Sequence, residues 1–155
     1  VASELEGYAE LSKQLFDLAN PKEGLAALKE SVRVPMRLVL RKAQSNIAQI
    51  SPGKADIHRT YKGRMVGAGF AARSLKVEVR VSRDKKSASA LLGVKREAFY
   101  AVQFFELGTA AIAKQPWLVP ALESSKSEAV RAIGATMKKR IDKIARKRAS
   151  ASKGD

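Results

Sequence analysis

The chain carries a single histidine, His58, and no cysteine, so the side chains that most often bind metals or act as nucleophiles and bases are nearly missing. A metal needs several ligands converging on one point. His58 has only Asp56 close by in sequence, so it reads as a surface residue. No Ser-His-Asp arrangement is possible without it, and no Gly-x-Ser-x-Gly nucleophile elbow is present. Ser82-Arg-Asp-Lys85 matches the Ser-x-x-Lys pattern, but that chemistry wants both residues on one helical face, and these four read as a turn. Gly67-Ala-Gly69-Phe-Ala-Ala72 fits the form of the dinucleotide fingerprint. That motif works when a strand precedes it and a helix opens inside it, aiming amides at pyrophosphate. The next regular element here is the strand from Leu75, and no βαβ unit surrounds it. Glu123 and Glu128 read as carboxylates near a helix start, where the dipole favours them. The expectation is a protein that is not an enzyme and holds no cofactor and no metal.

The remaining chemistry is charge. The 155 residues carry a formal net charge of +15, with 45% hydrophobic residues. That apolar content supports a real core, and the length fits one domain. No run of 18 apolar residues exists, which argues against a membrane span. The first residues, VASELEGYAELSK, form an acidic, helix-patterned stretch and lack a signal peptide's basic start and apolar middle. The charge is blocked. Residues 31–96 hold 16 basic and 3 acidic groups, and residues 129–155 hold 9 and 2, whereas residues 1–30 and 97–128 are net acidic. A basic block points to a polyanion, DNA or RNA being the usual one, or to a solvated face. Zinc-finger spacing and an aromatic RNP motif are absent, and the aromatics lie apart from the cations. Stacking platforms need both in one groove, so contact with nucleic acid would be non-specific and through phosphate.

Periodicity supplies the elements that must position these groups. Leu5, Tyr8, Leu11, Leu15 and Leu18 predict a helix over 3–19, opened by a Ser3/Glu6 capping box and broken at Asn20-Pro21. Leu25, Leu28, Val32, Met36, Val39, Ala43, Ile47 and Ile50 predict a second helix over 22–50, with either a kink or a break at Pro35. Residues 51–74 read as a long basic loop, with partly extended backbone as the alternative. LKVEVRVS alternates and predicts a strand over 75–82. RDKK at 83–86 is the turn, and SASALLGV at 87–94 is the return strand. The last helix is predicted to begin near Pro120, with Val130, Ile133, Met137, Ile141 and Ile144 as its buried stripe and a cationic end. Residues 150–155 are expected to be disordered. The order implies a single α+β domain over 1–149: an antiparallel sheet, formed by the central hairpin, packed by a long helix from the N-terminal half and a C-terminal helix.

One window stands apart. Residues 99–122, FYAVQFFELGTAAIAKQPWLVPAL, gather Phe99, Tyr100, Phe104, Phe105 and Trp117 in a chain that is only 6% aromatic. The spacing favours a short helix, with a strand as the alternative. Gly108 would stop it in a left-handed turn, and Thr109 would bond back to the backbone there. Glu106, beside aromatics, is a candidate for a structurally paired carboxylate. Pro116 and Pro120 bracket Trp117, Leu118 and Val119. The result is a rigid apolar platform of low charge, either core or docking surface.

Tyr100-Ala101, Phe105-Glu106-Leu107-Gly108-Thr109 and Gln115-Pro116-Trp117-Leu118-Val119-Pro120-Ala121 together resemble the signature of the siphophage tail-completion proteins, which join heads to tails in the phage neck. Gly63-Arg-Met-Val and Gly69-Phe-Ala-Ala-Arg-Ser-Leu resemble that family's mid-chain loop. The likeness covers about residues 25–145. It departs at Leu107, where an aromatic residue is usual, and after Ser51-Pro52, where Thr-Gly is common. The resemblance implies a small α+β protomer that forms a ring, of six copies, at the top of the tail. Its partners would be copies of itself, the tail tube or tail terminator protein, the head–tail connector and the DNA passing through the channel. It would be made in the host cytoplasm and end in the virion, with no membrane involved. Tyr100, Glu106, Gly108, Thr109, Pro116, Trp117, Leu118 and Pro120 would carry the family motif. Arg59, Lys62, Arg64, Arg73, Lys138, Lys139, Arg140 and Lys143 would face DNA or acidic neighbours. The alternative is a free basic protein that binds nucleic acid non-specifically.

Overall fold

A computed structural model describes residues 10, 11, 13–15, 21–50, 58, 59, 63, 65–67 and 69–151. Residues 10–11 and 13–15 are helical; the rest of the expected first helix lies outside the described residues. Helix α1 spans Pro21–Ile50, strand β1 His58–Arg59, strand β2 Met65–Val66 and helix α2 Phe70–Arg73. Strands β3 (Leu75–Val81) and β4 (Ala88–Val94) follow, then a 3-10 turn over Arg96–Ala98, helix α3 (Phe99–Leu107) and helix α4 (Leu118–Ala151). The protein is α+β, with two small two-stranded sheets and two long helices among the described residues.

Helix α1 is a single element of 30 residues, with Pro35 inside it rather than at a break between two helices. Its buried line runs through Gly24, Leu28, Ser31, Pro35, Val39, Ala43 and Ile47. That line is rotated from the expected stripe: Leu25, Val32 and Met36 are only half-buried. Ser31 tolerates burial because its hydroxyl donates to Leu28 O at 2.8 Å within the same turn.

The segment expected to be a loop over 51–74 holds regular structure. β1 and β2 pair antiparallel, His58 opposite Val66 and Arg59 opposite Met65. Gly69, at φ 74°, opens the single turn of α2. β3 and β4 form the expected hairpin, with β3 ending at Val81. Ser82 N–H donates to Ser87 O at 3.0 Å beside the turn, and Lys95 N–H donates to Ser74 O at 2.9 Å at the open end. Both bonds fit one antiparallel register across two seven-residue strands, which sets Val79 opposite Ala90. Along β3, Leu75 is buried and Val77, Val79 and Val81 are half-buried, while Lys76, Glu78 and Arg80 are exposed, as alternation requires.

Helix α4 starts at Leu118, two residues before Pro120, so the proline is third in the helix. It stays within the first turn, where its missing N–H costs nothing. Glu128 therefore lies well inside the helix rather than near its start. The helix also continues through Ser150 to Ala151, beyond the expected boundary at 149; residues 152–155 lie outside the described residues.

The chain divides into two compact units. One comprises the described parts of Val1–Pro35, Val79–Ala90 and Glu128–Asp155. Its core is Leu15, Ala27, Leu28, Ile141 and Ile144, with Leu11 and Ala88 against it. The other comprises the described parts of Met36–Glu78 and Leu91–Ser127. Its core is Ala43, Ile47, Ala71, Leu75, Ala98, Val102, Trp117 and Ala121. Each unit takes a part of α1, of the hairpin and of α4.

Candidate functional site

The second unit holds the aromatic window. Residues 99–107 form the favoured helix, α3, which buries Val102 and leaves Phe104 and Leu107 exposed. Gly108 ends it, its N–H donating to Phe104 O at 2.8 Å. The glycine takes φ 75° and ψ 167°, not the left-handed helical value expected; that extended positive-φ region belongs almost to glycine alone. The chain then folds back tightly. A Cβ on Gly108 would sit 3.1 Å from both the backbone N and the Cβ of Lys114. Thr109 Oγ1 accepts from Ala111 N–H at 3.2 Å and Ile112 N–H at 3.0 Å, and Thr109 N–H donates to Ile112 O at 2.8 Å. Gln115 N–H closes the excursion on Phe105 O at 2.8 Å.

This turn returns the chain to Glu106. Its Oε2 accepts from Trp117 N–H at 2.7 Å and Leu118 N–H at 2.8 Å, and its Oε1 from Val119 N–H at 3.3 Å. These donors are at the open N-terminus of α4, where amides lack helical partners and negative charge is favoured. The residue ahead of α4 is Trp117, which cannot cap by itself. Glu106 thus does from α3 what a Ser or Asp would do locally. Trp117 is buried, and its indole N–H donates to Val102 O at 3.0 Å. Three contacts beyond the reach of local pattern hold the surroundings: Asn46 Nδ2 donates to Trp117 O at 3.0 Å, Lys42 Nζ to Ser124 O at 3.0 Å and Gln44 Nε2 to Ala72 O at 3.2 Å.

The motif residues therefore come together. Glu106, Gly108, Thr109, Trp117 and Leu118 form one latch; Pro116 and Pro120 are exposed beside it. Tyr100 lies in α3, with its side chain outside the described residues. Around the latch, the large apolar residues left exposed include Leu107 at 63%, Val119 at 50% and Leu122 at 41%.

The cationic candidates do not form one site. Lys62 and Arg64 lie outside the described residues, as do the side chains of Arg59 and His58. Arg73 is exposed, and a Cβ on Gly69 would meet its Nη1 at 2.8 Å, so the guanidinium lies against Gly69 at the turn into α2. A short strand and one helical turn do flank that turn, which the sequence reading missed, but α2 has only four residues and β3 follows one residue after it. Lys138, Lys139 and Lys143 are exposed on α4 in the first unit, while Arg140 pairs with Glu30. Lys147 likewise pairs with Glu23 at 2.6 Å. Among the described residues no group of three His, Cys, Asp or Glu side chains converges. No helix of the described chain is long and apolar enough to cross a membrane.

Comparison with family models, curated proteins and solved structures returns no match to this chain.

Proposed function

We propose that this protein is a structural component of a bacteriophage neck, completing the tail and joining it to the head connector as a ring of copies around the DNA channel. One observation carries the reading most directly. Glu106, Gly108, Thr109 and Trp117, the residues of the tail-completion-like motif, assemble into a single latch whose polar groups are used up in holding backbone. A carboxylate that accepts from three backbone amides is engaged in holding structure. The apolar side chains left exposed at that latch, Leu107, Val119 and Leu122, suit a protein-binding edge. Their window is also the one with few cations, where a neighbouring basic copy meets little repulsion.

The reading is tested by mass spectrometry of DNase-treated, density-purified particles from the source culture. A few copies of the chain per particle, in a number fitting a ring, are expected. Particles that assemble and infect without it would overturn the proposal. The second reading, a free basic protein that binds nucleic acid non-specifically, draws on the cationic surface of α4. It predicts the chain bound to nucleic acid in cell extracts and missing from particles.

A further inference from the structure

The α1–α4 part of the first unit contains an open cleft of about 830 Å³. On α4, Lys139, Lys143 and Arg146 line it at i, i+4 and i+7, one helical face rising about 10 Å. All three are exposed, and none of their side chains has an ion pair or hydrogen bond among the described residues. Two nearby acids are already paired, Glu30 with Arg140 and Glu23 with Lys147 at 2.6 Å. Asp142 is the one other carboxylate in the lining.

We infer that this cleft binds the phosphodiester backbone of nucleic acid, through Lys139, Lys143 and Arg146, without reading sequence. The composition of the lining decides between a nucleic acid and an acidic protein. Protein interfaces are built around aromatic or aliphatic anchors and are depleted in lysine. This cleft has no aromatic residue, and Val34 is its largest apolar side chain. The exposed apolar residues Leu107, Val119 and Leu122 belong to the other unit. A lysine-rich and anchor-free surface is the kind that meets phosphates, where counterion release drives binding. It also lacks the Asn and Gln side chains that read base edges, so affinity would be blind to sequence. The assignment sorts cations that the sequence left equivalent: Arg140 is committed to Glu30, whereas Arg146, which the sequence did not single out, belongs to the site. It does not depend on the neck reading, because it concerns the isolated chain.

The test is fluorescence anisotropy of a short labelled duplex DNA with the full chain, across a salt series. Wild type is expected to show a log-linear loss of affinity with salt. The triple variant Lys139→Gln/Lys143→Gln/Arg146→Gln is expected to flatten that slope by about 2–3 units, since each phosphate contact contributes roughly 0.9. A charge-matched control, Arg83→Gln/Lys85→Gln/Lys86→Gln in the exposed hairpin turn, should leave the slope unchanged. Thermal melts check folding. If the triple variant loses its melt, Lys139→Gln and Arg146→Gln alone are each expected to flatten the slope by roughly 0.9. The inference is overturned if wild type does not bind, if the control flattens the slope equally, or if polyglutamate competes better than unlabelled duplex. None of these results bears on the presence of the chain in particles, so the two proposals fail separately.

Discussion

Glu106 ties Trp117 to α3, and Trp117 ties itself back to the same helix. The carboxylate accepts the Trp117 backbone N–H at 2.7 Å, and the Trp117 indole donates to Val102 O, one helical turn before Glu106, at 3.0 Å. One residue of α3 thus caps α4, and the residue it caps anchors back on α3. The angle between two helix ends becomes a property of two side chains. This is how a low-charge segment with few local structure-formers acquires a fixed shape.

Removing the cap should therefore cost more than removing an ordinary surface carboxylate. Glu106→Ala leaves three amide groups at the start of α4 without their acceptor, and we expect it to lose about 2–3 kcal/mol of stability in denaturant unfolding. Glu106→Gln keeps an acceptor oxygen but drops the charge that the helix end favours, and about 1 kcal/mol is expected. Equal losses in the two variants would show that the packing of the side chain, and not its hydrogen bonding, is what matters.

Gly108 is the second fixed point. Its φ of 75° with ψ 167° strains any L side chain, and a Cβ would press on the Lys114 backbone at 3.1 Å. Gly108→Ala is expected to destabilise by about 2 kcal/mol or more. The comparison residue is Gly67, whose surroundings are open and whose φ is ordinary; alanine there should change stability by less than about 0.5 kcal/mol. A chemical melt of both variants reads the contrast, and a benign Gly108→Ala would mean that the turn can relax around Lys114.

Much of this was legible because its signals were local. The alternation of Leu75, Val77, Val79 and Val81 is a strand pattern that few other structures satisfy, and Gly108 and Glu106 pointed to a stop and a structurally paired carboxylate. What escaped were features fixed by distant partners. α4 starts at Leu118 because a carboxylate 12 residues upstream caps it, so the local sequence pointed to Pro120 instead. The seam of α1 runs through Ser31 and Pro35 because close packing selects small or compact residues, and hydropathy cannot see that. Ser125 is likewise fully buried on α4, its hydroxyl without a hydrogen-bond partner among the described residues. The split of Arg140 and Lys147 away from the other cations depends on Glu30 and Glu23, more than a hundred residues earlier.

The hairpin turn carries a pH signature. Asp84 is held below its ordinary pKa of 3.8, first by the Ser82 hydroxyl and then by the Lys86 backbone N–H, which donates at 3.1 Å. Because the folded value is depressed, the turn's contribution is present above the unfolded pKa and fades as pH falls through the folded one. An NMR titration should place the Asp84 midpoint below 3.8, and Ser82→Ala should raise it. A midpoint at or above the ordinary value would remove Ser82 as a partner in solution. The group is exposed, so global stability is expected to change little.

Leu107 is the residue at which the neck reading is most directly testable on the latch. It directly follows the capping carboxylate, yet its own side chain is 63% exposed, and Val119, which donates to Glu106 Oε1 at 3.3 Å, is 50% exposed. A latch that is rigid inside and apolar outside is suited to be bound by another protein, and these two positions contribute little to the fold. Leu107→Lys and Val119→Lys are expected to leave the melting temperature within about 2 °C of wild type, as exposed substitutions do. Under the neck reading, each should sharply reduce incorporation into particles, measured by mass spectrometry after complementation. Glu106→Gln, which weakens the latch from within, should reduce incorporation only as far as it lowers stability. Normal incorporation of both lysine variants would take this edge out of assembly and leave the basic faces as the surfaces that meet a partner.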